Sequence, residues 1–294
     1  MDANIVNRSQ IMVYVVSVVR DFDLYGRLVK NNPCLAGCEL CPFDNRIENI
    51  SITKRYNSFI DEHRFKDEDW LVFCHEDFEF LEPLEQKLAS LHLAERALYG
   101  IAGVDFTGIS RGLTLNSEKD GSKIVVSGFP FSGPVEVSTF DCMSIIVSAR
   151  TLKREKLRFD ENLSFDLYAE ELCINAHERC NIPSYVLPIK TQHYSWGNIG
   201  ERFMLQYKYL SNKFSQAQTT YFTTLGRRLG AGHYDETGFT YCKPNRVMGL
   251  FLKRMRSDGC IEVALLNYRL CIFRKKIVDP INWKSANPYT LFCQ

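Results

Sequence analysis

At 294 residues, with 45% apolar side chains, 20 Phe and 14 Tyr, the chain has material for one large core, which excludes a disordered or collagen-like class. No apolar run reaches the roughly 20 residues of a membrane-spanning helix, and residues 1–10 lack the apolar stretch of a signal peptide, so a cytosolic protein is expected. The formal net charge of +1 hides an asymmetry, because residues 1–200 hold 21 Lys and Arg against 29 Asp and Glu while residues 201–294 hold 15 against 6.

In chain order, residues 10–20 (QIMVYVVSVVR) form a β-branched run without Pro or Gly, which predicts a buried parallel strand. Residues 21–30 carry apolar side chains at helical spacing and stop at the turn signal Asn31-Asn32-Pro33. A short strand is expected over 39–45, then a helix over 51–62 with Ile52, Tyr56, Phe59 and Ile60 on one face. Residues 70–74 (WLVFC) predict the next buried strand, with His75-Glu76-Asp77 at its carboxyl end. A helix over 83–98, a strand over 100–104 and a Gly- and Ser-rich hairpin with a loop over 105–134 follow. The pattern continues with a strand over 140–147, a helix over 165–180 opened by Asp166, a strand over 184–188 and a helix over 201–214. Strands alternating with helices predict an α/β fold with a mostly parallel central sheet.

The cysteines and the tail complete this reading. Eleven Cys is an odd count, and Cys74, Cys142, Cys173 and Cys271 sit inside apolar runs, so the thiols are expected to be reduced. Residues 245–256 (NRVMGLFLKRMR) read as a short basic amphipathic helix, suited either to an anionic membrane surface or to docking on the main domain. Residues 261–276 suggest a hairpin. A main α/β domain over 1–200 and a basic helical and hairpin extension over 201–294 are therefore expected.

In an open α/β sheet, ligands collect outside the carboxyl ends of the strands. His75, Glu76 and Asp77 stand there, and a carboxylate at that place can bridge a divalent cation to substrate phosphate oxygens. Glu170 and Glu171 fall in the first turn of a helix, whose dipole favours the ionised form, as a proton acceptor requires. His193, between Tyr194 and Trp196, follows a short strand in a mixture that can wall a ligand site.

The segments ISITKRYNSFIDE, WLVFCHEDFEFLEP, YGIAGV, STFDCMSIIVSAR, FDENLSFDLYAEEL and TQHYSWG occur in an order that resembles the glycosyltransferase family 2-like branch of the GT-A superfamily. The resemblance is strongest to bacterial enzymes that build surface polysaccharides, and it covers roughly residues 10–200. It implies a Rossmann-like GT-A fold, a nucleotide-sugar donor, a glycan or lipid-linked acceptor, no nucleic-acid partner, and a divalent metal, Mn2+ or Mg2+. It places Tyr56, Asn57, Glu76, Asp77 and Trp196 at the donor, and Asp77, His193 and His75 at the metal. His75 stands where the family has the first Asp of its metal motif, which makes Asp77 the principal ligand. The resemblance further implies Asp141 on the acceptor side and Glu170-Glu171 as the acidic pair supplying the base, with inversion at the anomeric carbon.

Two other readings are carried by particular residues. Cys34-x-x-x-Cys38-x-x-Cys41 has the spacing that ligates three irons of a cubane cluster in radical S-adenosylmethionine enzymes. His75 in place of an Asp also suits a non-catalytic nucleotide-sugar-binding protein.

Overall fold

The computed structural model describes residues 11–230, except 92, 119, 121–124, 128–130 and 196–199, together with five short strands beyond residue 251. The first half contains β1 (Val13–Val19), α1 (Phe22–Tyr25) continued by a π-helical turn Gly26–Lys30, β2 (Glu39–Asp44), α2 (Ile52–Glu62), β3 (Trp70–Cys74), β4 (Phe78–Phe80) and α3 (Leu84–Ser90). Short strands follow: β5 (Leu98–Gly100), β6 (Ala102–Val104), β7 (Ser110–Gly112), β8 (Thr114–Asn116), β9 (Val125–Ser127), β10 (Val135–Val137), β11 (Thr139–Phe140) and β12 (Ser144–Ser148). The chain then forms α4 (Ala149–Arg154), α5 (Tyr168–Cys180), β13 (Ser184–Val186), β14 (Thr191–His193), α6 (Glu201–Lys213), β15 (Thr220–Phe222) and β16 (Arg228–Gly230).

A seven-stranded sheet in the order β10-β13-β5-β12-β3-β1-β2 occupies the centre. β1 pairs in parallel with β2 and β3, and β13 with β5, while β12 runs against β3 and β5, and β10 against β13. Five strands thus point one way, giving the mostly parallel α/β sheet expected.

The pleat sends alternate residues to opposite faces. Val16, Leu71, Phe73, Ile145 and Val147 join Tyr56 and Phe59 of α2 and Leu172 of α5 on one side. Val13, Val15, Val72 and Ile146 join Leu24, Leu28, Leu84 and Leu88 on the other. Covering both faces explains why β1 and β3 read as continuous apolar runs. Phe203, Leu210 and Phe214 from α6 and its flank, with Tyr221 and Leu229, belong to the first of these clusters, so the chain as far as β16 contributes to one core.

Several elements depart from the sequence reading. The helix expected over 83–98 ends at Ser90. Beyond it, the Ala94 carbonyl accepts from Tyr99 and the Glu95 carbonyl from Ser148, so tertiary donors take the place of helical ones. Asp166 does not open α5: Leu167 caps it in the left-handed region at φ 60°, and the Asp166 carboxylate instead binds Arg202. Region 105–134 supplies three short strands, β7, β8 and β9; β7 pairs with β6, and β8 with β9. Leu252–Met255, read as part of a helix, is strand β17, paired with β18 (Cys260–Leu265); residues 245–251 lie outside the described residues. β18 and β19 (Tyr268–Phe273) form an antiparallel pair where a hairpin is expected. Among the described residues, no helix is long and apolar enough to cross a membrane.

Candidate metal and donor site

β3 ends at Cys74, and the chain leaves the carboxyl edge of the sheet through His75, Glu76 and Asp77 before β4. The His75 N–H donates to the Met143 carbonyl at 3.1 Å, holding this exit beside β12. β4 pairs with β14 so that Phe78 faces His193, and the Tyr194 N–H donates to the Asp77 carbonyl at 2.9 Å. A small sheet, β4-β14-β8-β9, thereby carries His193 to Asp77 across a long stretch of chain.

The result is the one group of three His, Cys, Asp or Glu side chains among the described residues whose ligand atoms fall within mutual reach of a metal, all inside 4.8 Å. Asp77 Oδ1 lies 3.4 Å from His193 Nε2 and 3.9 Å from His75 Nδ1. Donors about 2.1 Å from one ion stand about 3 to 4.2 Å apart, from right-angled to opposed, so these spans suit a shared cation. Asp77 Oδ1 is buried without a hydrogen bond, an atom that costs stability unless something electropositive meets it. The residues therefore fit a divalent ion.

Charge in this group follows from burial and mutual field. Burial works to raise the Asp77 carboxyl, but the imidazoles of His193 and His75 outweigh it and hold the group well below the usual carboxylate range. Burial also dominates at His75, lowering it, so this ring is neutral. At His193 burial acts downward, yet the Asp77 charge more than offsets it and the ring is raised. Ser195 Oγ lies 3.0 Å from His193 Nε2.

A cleft of about 360 Å³ opens beside His75 and Asp77, and Val18, Arg20, Ser51, Ile52, Phe165 and Arg202 are among its walls. Its chemistry is mixed. Arg20 and Arg202 bring cations. Phe165, 44% exposed, stacks on His75 with ring centroids 5.3 Å apart and planes 22° apart. The Arg202 guanidinium covers the Phe165 ring at 4.7 Å while bonding Asp166 at 2.5 Å. Asn45, also in the lining, closes its own loop, donating to the Ile50 carbonyl and accepting from the Ile50 N–H, both at 2.9 Å. Glu76 lines the cleft too, with its carboxylate accepting from the Arg20 and Asp21 N–H groups at 2.5 and 2.9 Å.

The other sequence-derived residues lie as follows. Asp141, one residue past β11, accepts from the Met143 N–H at 3.1 Å and the Thr224 hydroxyl at 3.0 Å, and its charge acts on both His75 and His193. Glu170 is buried beside it, taking a bond from the Cys142 thiol at 3.5 Å; burial first, and the Asp141 charge second, push its carboxyl up to about 8. Glu171 points elsewhere. It is buried, and its Oε1 accepts from Lys213 at 2.7 Å, an ammonium shared with Asp160 at 2.6 Å. Burial, the largest influence, raises Glu171 despite that partner.

Tyr56 and Asn57 line no part of the cleft. Tyr56 is buried against Phe73 and Phe159, and Asn57 binds the Phe159 backbone through both N–H and carbonyl and bonds Glu161 at 3.0 Å. Trp196 lies outside the described residues. The cysteine triplet does not converge: Cys34 and Cys38 pack on one face of the sheet and Cys41 on the other. Burial raises all three thiols, Cys38 to about 12 and Cys41 to about 11, opposite to what thiolate ligands need. Sequence reasoning missed Arg20, Phe165, Tyr168 and Arg202. Arg20 was within its reach, since it follows β1 at the same strand edge as His75.

No protein-family profile matches this chain, and no curated protein matches it. Among solved structures it is similar to GalNAc-T7 with UDP, GalNAc and Mn2+, at 11% identity and a TM-score of 0.44, over 71% of this chain and 52% of that one. It is also similar to A197 from STIV, at 14% identity and a TM-score of 0.37, over 79% of this chain and 100% of that one. The chain thus spans about half the length of the GalNAc-T7 structure. At TM-scores below 0.5 neither likeness bears on the chemistry of the site.

Proposed function

We propose that this protein is a metal-dependent glycosyltransferase that moves a sugar from a nucleotide-sugar donor to a glycan or lipid-linked acceptor, with inversion, in the building of a surface polysaccharide. The observation that carries the reading is the His75, Asp77 and His193 group at the carboxyl edge of the sheet, opening on a cleft with two arginines. The ordered set of family 2-like segments supports the sugar chemistry, the polysaccharide role and the inversion. Two imidazole nitrogens and one carboxylate favour Mn2+ or another transition ion over Mg2+, which prefers all-oxygen shells. Such an ion supplies Lewis-acid stabilisation of charge on a departing diphosphate.

The chain's own residues do the rest. Arg20 and Arg202 hold phosphate oxygens as guanidinium forks do. Phe165 offers a partly exposed ring on which a base or sugar face can lie. Asp141, whose charge acts on both histidines, receives the acceptor hydroxyl's proton, with the buried, proton-holding Glu170 beside it. Glu171, held by Lys213, keeps the start of α5 in place.

The donor set also favours a second reading, because two His and one carboxylate hold Fe(II) in oxygenases. A thermal-shift panel separates the two. Nucleoside diphosphates with Mn2+ are expected to raise the melting temperature of the wild type, and Asp77→Asn to abolish that rise. Indifference to every nucleotide, with Fe(II)-dependent consumption of dioxygen, would overthrow the transferase.

A further inference from the structure

A histidine ligates a metal only through a ring nitrogen that carries no proton, and the partner of the other nitrogen decides which one that is. His75 Nε2 lies 2.9 Å from the Tyr168 hydroxyl. That hydroxyl donates to the Cys142 carbonyl at 2.8 Å. A phenol has one proton, and with that proton spent on a carbonyl the oxygen can only accept from His75. Nε2 therefore carries the ring hydrogen, and the Nδ1 lone pair faces Asp77.

Left to itself the ring would choose otherwise. An Nδ1–H would point at the Asp77 carboxylate, 3.9 Å away, and be favoured there by its negative charge. It would also put a proton where the metal must bind. We propose that Tyr168 is a positioning residue that overrides this preference, locking His75 in its Nε2–H form so that Nδ1 stays open to a metal ion. The inference rests on the metal-site reading given above.

The surroundings of Tyr168 suit this task. It is fully buried in the first turn of α5, edge-on to Tyr56 and Phe159 with ring centroids 6.1 and 5.8 Å away, so its hydroxyl has little freedom to turn aside. Phe165, stacked on His75, opposes the ring flip that would put carbons where the two nitrogens stand.

Tyr168→Phe tests the idea, since it keeps the packed ring and removes the hydroxyl. Long-range 1H–15N correlation on the 15N-labelled full chain, without metal, reads the tautomer directly. The wild type is expected to show a protonated Nε2 and a bare Nδ1, and Tyr168→Phe to move the proton to Nδ1. Mn2+ titration followed by electron paramagnetic resonance is expected to show about 10- to 100-fold weaker binding in Tyr168→Phe. In a His75→Ala background the same change should cost nothing more. A wild-type ring protonated on Nδ1, an unchanged tautomer in the variant, or an equal Mn2+ loss in both backgrounds would each overturn the inference. The wild-type spectrum decides even if the variant fails to fold. Absence of any Mn2+ binding by the wild type, with the expected tautomer present, would instead overturn the metal-site reading.

Discussion

Glu170→Gln offers a direct measure of how the interior treats charge. The side chain is 2% exposed and sits beside Asp141, and its carboxyl is pushed up to about 8 by burial and then by that neighbouring charge. In the unfolded chain the same group titrates near 4.5. Below that pH both states hold the proton, and the group contributes nothing to pH dependence. Between pH 4.5 and about 8 the folded state keeps a proton that the unfolded state has lost, so stability falls as pH rises. At about 1.4 kcal/mol per pH unit the full window amounts to roughly 4 to 5 kcal/mol, with relaxation of the buried site reducing it. Glutamine mimics the neutral acid and removes the dependence. Urea unfolding of wild type and variant at pH 5, 6, 7 and 8 should therefore give stabilities that diverge steadily in favour of the variant. Parallel profiles for the two proteins would refute a buried, proton-holding Glu170.

Other expectations follow from single contacts. Lys213→Met removes the ammonium that bonds the buried Glu171 carboxylate and should cost about 2–4 kcal/mol in urea unfolding, with Glu171→Gln in the same background recovering part of it. Gly100→Ala places a Cβ 2.4 Å from the Phe140 ring, on the strand before Asp141. It should destabilise by about 1–3 kcal/mol, read as a lowered denaturation midpoint.

The parts of the fold that were legible are those where one physical signal dominates. β1 and β12 are rich in β-branched residues and β3 is apolar throughout because both sheet faces are covered, and nothing in those runs competes with a strand. His75 and Asp77 were legible because a strand's carboxyl end is a place, and place implies exposure to a ligand. His193 reaches them through the pairing of β14 with β4, which no local pattern announces; its neighbours carried the hint. Tyr56 shows the opposite case. It lies on the apolar face of α2, and that periodicity, taken alone, describes the core residue it is. The direction of Glu171 depends on Lys213, 42 residues later, and on which side of α5 meets α6. The short run at Leu252–Met255 fits a helix or a strand equally by its spacing, and pairing with β18 decides.

The route by which His193 meets Asp77 has a consequence for how the molecule comes apart. An ion gripped by both residues would staple two points that enclose most of the domain's chain, from β4 through α5 to β14. Constraints that close long loops act chiefly by shrinking the freedom of the unfolded ensemble. Stripping such an ion would then loosen the domain as a whole rather than fraying one rim, and chelation would surface as a smaller free energy of global unfolding.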